Sequence, residues 1–216
     1  TSQLTDTTGI GDTFEEQAPT GLTTVEVVQE GAFFDTTTNY SHDAFSSSVP
    51  TSPQATARVI CLGFAGQTIG YPMVGFEGTY TQDYQVVAAL GDLQKADVTY
   101  AMTGTRSAGA IIEKLVTKTD SWDTTSTPVD NSASSSAGGV GFIQCTAASG
   151  FSGFIGKVRH SADDVTYSDL LLFTDNVTAP FAERVSVSGT VDRYLSFTGI
   201  ITGSGSITVF CGFSRS

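Results

Sequence analysis

The sequence predicts an all-β protein: antiparallel β-sandwiches joined by long Ser/Thr-rich loops, with little helix. Three observations lead there. Only 15% of the 216 residues are charged, against a globular norm of about 25%. Ser and Thr, together about a quarter of the chain, and 23 Gly take their place, a mix poor in helix formers and rich in β-branched and turn residues. Apolar residues alternate with small or polar ones, as in Ile207, Val209, Cys211 and Phe213 around Thr208 and Gly212, which is the period of a half-buried strand. Turn-forming clusters then recur between short apolar runs.

Along the chain, residues 1–57 read as an acidic N-terminal arm. Within it TTVEVVQ (23–29) and GAFFDTT (31–37) predict one hairpin around Glu30-Gly31. Residues 41–57, with two prolines and a Ser cluster, read as loop. Residues 58–118 form a middle β region with candidate strands at 57–64, 68–76, 84–90, 97–104 and 110–118. Pro72 demotes the second of these to an edge strand or a bulge, and AALGDLQKAD has room for one short helix. Residues 119–139 (TDSWDTTSTPVDNSASSSAGG) hold too little apolar surface to pack and read as a linker or long loop.

Residues 140–216 carry the clearest pattern, with runs at 141–147, 153–160, 165–173, 183–189, 193–201 and 206–213 separated by turn chemistry. Six short strands at this spacing predict an autonomous sandwich. Its expected core contains Phe142, Val158, Leu171, Val185, Val187, Leu195, Phe197, Ile207 and Val209.

The net charge is −12, and residues 1–57 supply eight acids and no Lys or Arg. Such a field opposes binding by phosphate neutralisation, so tight nucleic-acid binding is not expected. Three well-separated cysteines, Cys61, Cys145 and Cys211, make no disulfide framework and read as small buried hydrophobes. No apolar run is long enough to predict a membrane span, and the N-terminal TSQLTDTTGIGD has neither the basic nor the apolar part of a secretory signal. The expectation is a soluble protein made in the cytoplasm.

Candidate chemistry is sparse. A nucleophilic triad would have to use His42 or His160, and GFSGF and GSGSI both miss the spacing of a nucleophile elbow. Asp163-Asp164 and Glu15-Glu16 read as solvated turn and tail residues, with Asp163, Asp164 and Asp169 as the nearest approach to a loop cation site. Gly138-Gly139-Val140-Gly141 opens a strand and lacks the Lys of a phosphate loop. Asn39-Tyr40-Ser41 and Asn176-Val177-Thr178 match the glycosylation pattern but imply nothing without a secretory signal. Trp122 reads as a loop anchor on a neighbouring domain or subunit, with a sugar-stacking platform as the sharper alternative. The expectation is therefore a structural or binding protein, with no enzymatic activity, cofactor or metal.

The segment KVRHSADDVTYSDLLLFTDNVTAPFAERVSVSGTVDRYLSFTGIITGSGSITVFCGF resembles structural proteins of tailed bacteriophages. The likeness lies in HSADD before a strand, the paired strands of AERVSVSGTVDRYL and the hairpin of GSGSITV. RVICLGFAGQTIGYPMVGFEGTY and LGDLQKADVTYAMTG extend it over residues 58–216. The family is that of tail tubes (major tail proteins), and head decoration proteins are the second association. The resemblance implies a virion protein assembling as homo-oligomers, hexameric rings in a tube, with other virion proteins as neighbours and DNA only in transit. A capsid decoration or cement protein and a carbohydrate-binding adhesin are the alternatives. An extended arm normally orders on a neighbour, so Val25, Val27, Val28, Phe33 and Phe34 of the arm, with Trp122 as the loop anchor, are the expected inter-subunit contacts.

Overall fold

A computed structural model describes residues 2–6, 17–23, 26–36, 58–64, 68–88, 92–102, 104–176 and 178–216. Among them are thirteen β-strands and no helix, and the strand pairings with a resolved register are antiparallel. The fold is all-β. The chain divides into a smaller unit (1–58 and 78–105) and a larger one (59–77 and 106–216). This partition cuts across the expected boundaries at 118 and 140, because strands on both sides of them pair with each other.

In the smaller unit, β1 (Ser2–Asp6) pairs with β2 (Gln17–Thr23). β3 (Glu26–Phe33) pairs with β6 (Lys95–Met102), which also pairs with residues 79–87 of β5 (Pro72–Val87). The hairpin expected around Glu30-Gly31 is absent: β3 runs straight through, and the extra residues form a bulge between Gln29 and Ala32. Gly31, at φ 70°, supplies the left-handed residue of that bulge, and its N–H donates to Asp97 Oδ1 at 2.6 Å. The residues with room for a short helix lie partly outside the described set. Those within it, Asp92 to Gln94, are irregular, and Lys95 already belongs to β6.

In the larger unit, β4 (Arg58–Gly63) pairs with β5, and Pro72 opens β5, the strand position where a missing N–H costs least. The first residues of β5 pair with β7 (Arg106–Lys118). Beyond β7 the expected succession of short C-terminal strands is fused. β10 (Gly139–Ser161) and β13 (Tyr194–Arg215) are 23 and 22 residues long and pair with each other from end to end. Ser149-Gly150 and the Gly203–Gly205 stretch, expected as turns, are bulges facing each other across this hairpin, with Gly150 at φ 69° and Gly203 at φ 91°. A left-handed glycine serves a bulge as readily as a turn. β11 (Ser168–Leu172) and β12 (Phe181–Val187) pair with opposite ends of β10.

The two halves of the long hairpin share one core. Ile143, Cys145, Ile207 and Val209 from one half pack with Phe154, Val158, Leu195 and Phe197 from the other. A Cβ placed on Gly156 would lie 2.7 Å from Ile143 Cδ1, so the layers meet there at the closest distance glycine permits. Met73, Ile111, Val140, Phe142 and Phe210 fill the opposite face of the first half. Of the nine expected core residues, seven are buried, and Val185 and Val187 are partly buried at its margin. The core also draws Ile112 from β7 and Val129 from the 119–139 segment. The hydrophobic core is thus not confined to residues 140–216.

Of the two expectations for 119–139, a linker or a long loop, the segment is a long loop, strapped onto the sheet. β8 (Trp122–Asp123) and β9 (Val129–Asp130) pair with β13 at Gly199–Thr198 and Leu195–Tyr194. The Thr124 N–H donates to the Phe197 carbonyl and Thr124 Oγ1 accepts the Phe197 N–H in return, and Ser135 bridges to Val191. Two apolar side chains, Trp122 and Val129, pin it.

Candidate functional site

Where β7 gives way to the strap, one polar group stands out. The β7–β13 register slips by a residue on either side of the Glu113–Cys211 pair. Such bulges re-aim side chains, and Glu113 is turned inward until it is only 3% exposed in a strand otherwise flanked by Ile111, Ile112 and Leu115. Its Oε2 accepts the indole N–H of Trp122 at 2.6 Å. Burial raises the Glu113 pKa, against the lowering effects of the Trp122 hydrogen bond, the Lys118 and Lys114 ammonium groups and a backbone N–H at Lys114.

Trp122 packs on its own unit. A Cβ on Gly199 would fall 2.4 Å from the indole ring, Phe154 stacks on it at 6.0 Å and 20°, and Phe197 lies 5.8 Å away. The Lys118 ammonium sits over the ring at 5.8 Å. This leaves little of the flat, open aromatic face a sugar platform requires. Beside the ring is an open cleft of about 610 Å³ lined by Glu113, Lys114, Lys118, Trp122 and Asp123, with Thr68, Thr127 and Pro128 on its rim.

The other expected contact residues fall in the smaller unit. Val28, 54% exposed, and Phe33, 62% exposed, share one face of β3, opposite Thr99 and Lys95. Val27 lies on the other face, opposite the buried Tyr100, and is half-buried, as is Phe34. Val25 and His42 lie outside the described residues.

The remaining polar candidates are dispersed. Asp163 caps its own loop, accepting from Ser161 Oγ and from the N–H groups of Val165 and Thr166. Asp169 pairs with Lys157 at 2.7 Å and Arg159 at 3.4 Å, and Asp164 accepts from the Tyr167 hydroxyl. His160 Nδ1 lies 3.1 Å from Asp192 Oδ2. Among the described residues no three His, Cys, Asp or Glu side chains gather as a metal site. All three cysteines are free thiols. Cys61 borders a cavity of about 260 Å³ with Ile111, Leu115, Gln144 and Phe210. Burial pushes its pKa up to about 12, which leaves it protonated and unreactive at neutral pH.

The sequence pattern missed Glu113 because bulges leave no mark in a strand's periodicity. The available signal was the charge itself, set inside the apolar run AIIEKLV. No protein-family model, curated protein or solved structure matches the chain.

Proposed function

We propose that this chain is a non-enzymatic virion structural protein, a tail-tube subunit that stacks as homo-oligomeric rings around a DNA conduit. The observation that carries the assembly part of this reading is the face of the smaller unit's sheet on which Val28, Phe33 and Val87 stay largely exposed. Large apolar side chains grouped on one sheet face favour burial against another protein surface. The tube part draws on the resemblance of residues 58–216 and on the charge. Eight acids without a base in residues 1–57 suit a wall past which DNA must slide without adsorbing.

Electron microscopy of the concentrated protein tests the reading. Stacked rings or tubes are expected. Trimers that dock on capsids would replace it with a decoration protein, and monomers that bind glycans would replace it with an adhesin.

A further inference from the structure

The junction between β7 and the strap carries a second property, independent of the assembly reading. We infer that Glu113 and Trp122 form a proton-operated latch: proton uptake by the Glu113 carboxyl tightens the hold of the Trp122 end of the strap on β13, and proton loss loosens it.

The geometry supplies each part. The carboxyl is buried and re-aimed by two bulges, and it has one indole donor at 2.6 Å. The cleft beside it gives water and protons a route to the group. The charged and titratable groups facing it are Lys114 and Lys118 on β7, Asp123 on β8 and Cys211 on β13, while the turn at Thr68 and Ile69 adds none. Burial outweighs the two lysines and the indole, so the closed arrangement binds a proton more tightly than an open one with the carboxyl in water.

The sign follows. The stabilisation is fully present below the ordinary glutamate value of about 4.3 and is lost as pH rises through the raised value of the closed state. At higher pH the buried charge strains the latch. A neutral acceptor of the same shape should therefore hold the strap better than the native carboxylate does. The indole N–H needs only an oxygen, which Gln provides.

Trp122 is the single Trp of the chain, so indole fluorescence of the intact protein reports on the latch directly. The emission of the wild-type protein should titrate with a midpoint above about 4.3, and Glu113→Gln should abolish that step. Chymotrypsin cleavage after Trp122 gives a second reading, taken as the ratio of wild-type to E113Q rates so that the protease's own pH dependence cancels. The ratio should be several-fold on the alkaline side of the emission midpoint and fall towards one on its acid side. Lys118→Gln removes an opposing charge from a partly exposed position and should move the emission midpoint upward. Emission that does not titrate in the wild type, an unchanged step in E113Q, a cleavage ratio that stays constant with pH, or a midpoint that K118Q leaves alone or lowers would each overturn the latch.

Discussion

In the larger unit, Phe142, Phe154 and Phe197 are wholly covered, whereas the described part of the smaller unit leaves Val28, Phe33, Val86, Val87 and Leu93 with 44–64% of their surface in water. The difference comes from strand length. β10 and β13 are long enough to be kinked midway, so one hairpin supplies both layers of a core and β7 and the strap close its edge. β3 and β6 are eight residues each, and a short sheet of this kind cannot cover both of its own faces. The larger unit encloses a continuous core, although Phe64, Tyr71, Val165 and Leu172 stay exposed at its surface, whereas the smaller one gathers Val28, Phe33 and Val87 on one exposed sheet face. The comparison therefore predicts a division of labour, stability in one unit and association in the other.

The largest effect should come from cutting into the covered core. Phe142→Ala removes a ring that lies within van der Waals contact of Gly75 and should cost about 3–5 kcal/mol. Val87→Thr in the smaller unit should stay within about 0.5 kcal/mol. Denaturant unfolding of the two variants measures the contrast, and comparable losses would remove the proposed division. Next in size, Gly156→Ala drives a methyl group against Ile143, Phe173 and Phe197 where the layers meet. The expected loss is about 1–3 kcal/mol, with the fold retained.

A third test addresses the association side. The eight acids of residues 1–57 repel one another when copies gather, over a Debye length of about 8–10 Å. Raising ionic strength from about 20 to 500 mM should strengthen assembly by about tenfold, or 1.4 kcal/mol, in sedimentation. Weakening with salt would show that opposite charges hold the copies together. Duplex DNA should not co-sediment at low salt.

How far the sequence reached differs between the units for a physical reason. In 206–213 the alternation of Ile207, Val209, Cys211 and Phe213 marks a strand face that is buried throughout, because a continuous core writes its period into the residues facing it. Glycine carries no such information. Gly31, Gly150 and Gly203 all read as turns and all became bulges, since the left-handed conformation they provide is common to both. The strap misled by composition. Ser, Thr and Asp dominate it, yet its backbone is satisfied by β13 and two side chains fix it, so low hydrophobicity did not make it free. Trp122 was legible as an anchor on a neighbouring domain or subunit, whereas it packs on Phe154, Phe197 and Gly199 of its own unit, and its partner Glu113 required knowledge of a register that only the folded sheet has.

The smallest expected effect compares one surface ion pair from each unit. In the larger unit, Arg193 donates through two nitrogens to Asp130, at 2.7 and 2.6 Å. That hydrogen bonding, with the Ser132 N–H, lowers the Asp130 pKa to about 2. In the smaller unit, Lys95 reaches Asp92 through a single contact at 3.4 Å, and the Asp92 pKa is lowered chiefly by the Leu93 N–H. Both pairs are solvent-exposed, where ion pairs contribute little. Their difference should therefore appear only in acid. A depressed carboxylate contributes stability above its unfolded value and loses it as pH falls through the folded one, which for Asp130 means from about pH 4 down to about pH 2. Carboxyl NMR shifts should show Asp130 titrating below Asp92, and 0.5 M salt (a Debye length of about 4 Å) should raise Asp92, on which the Lys95 charge weighs more, towards its ordinary value more than it raises Asp130, which is held down chiefly by hydrogen bonds. Asp130→Asn should flatten the acid-side loss in the larger unit by giving up at pH 7 the same stability that the wild type loses in acid, a small change because the pair is exposed. A large loss at pH 7 would mean that the fork, rather than Trp122 and Val129, secures the strap.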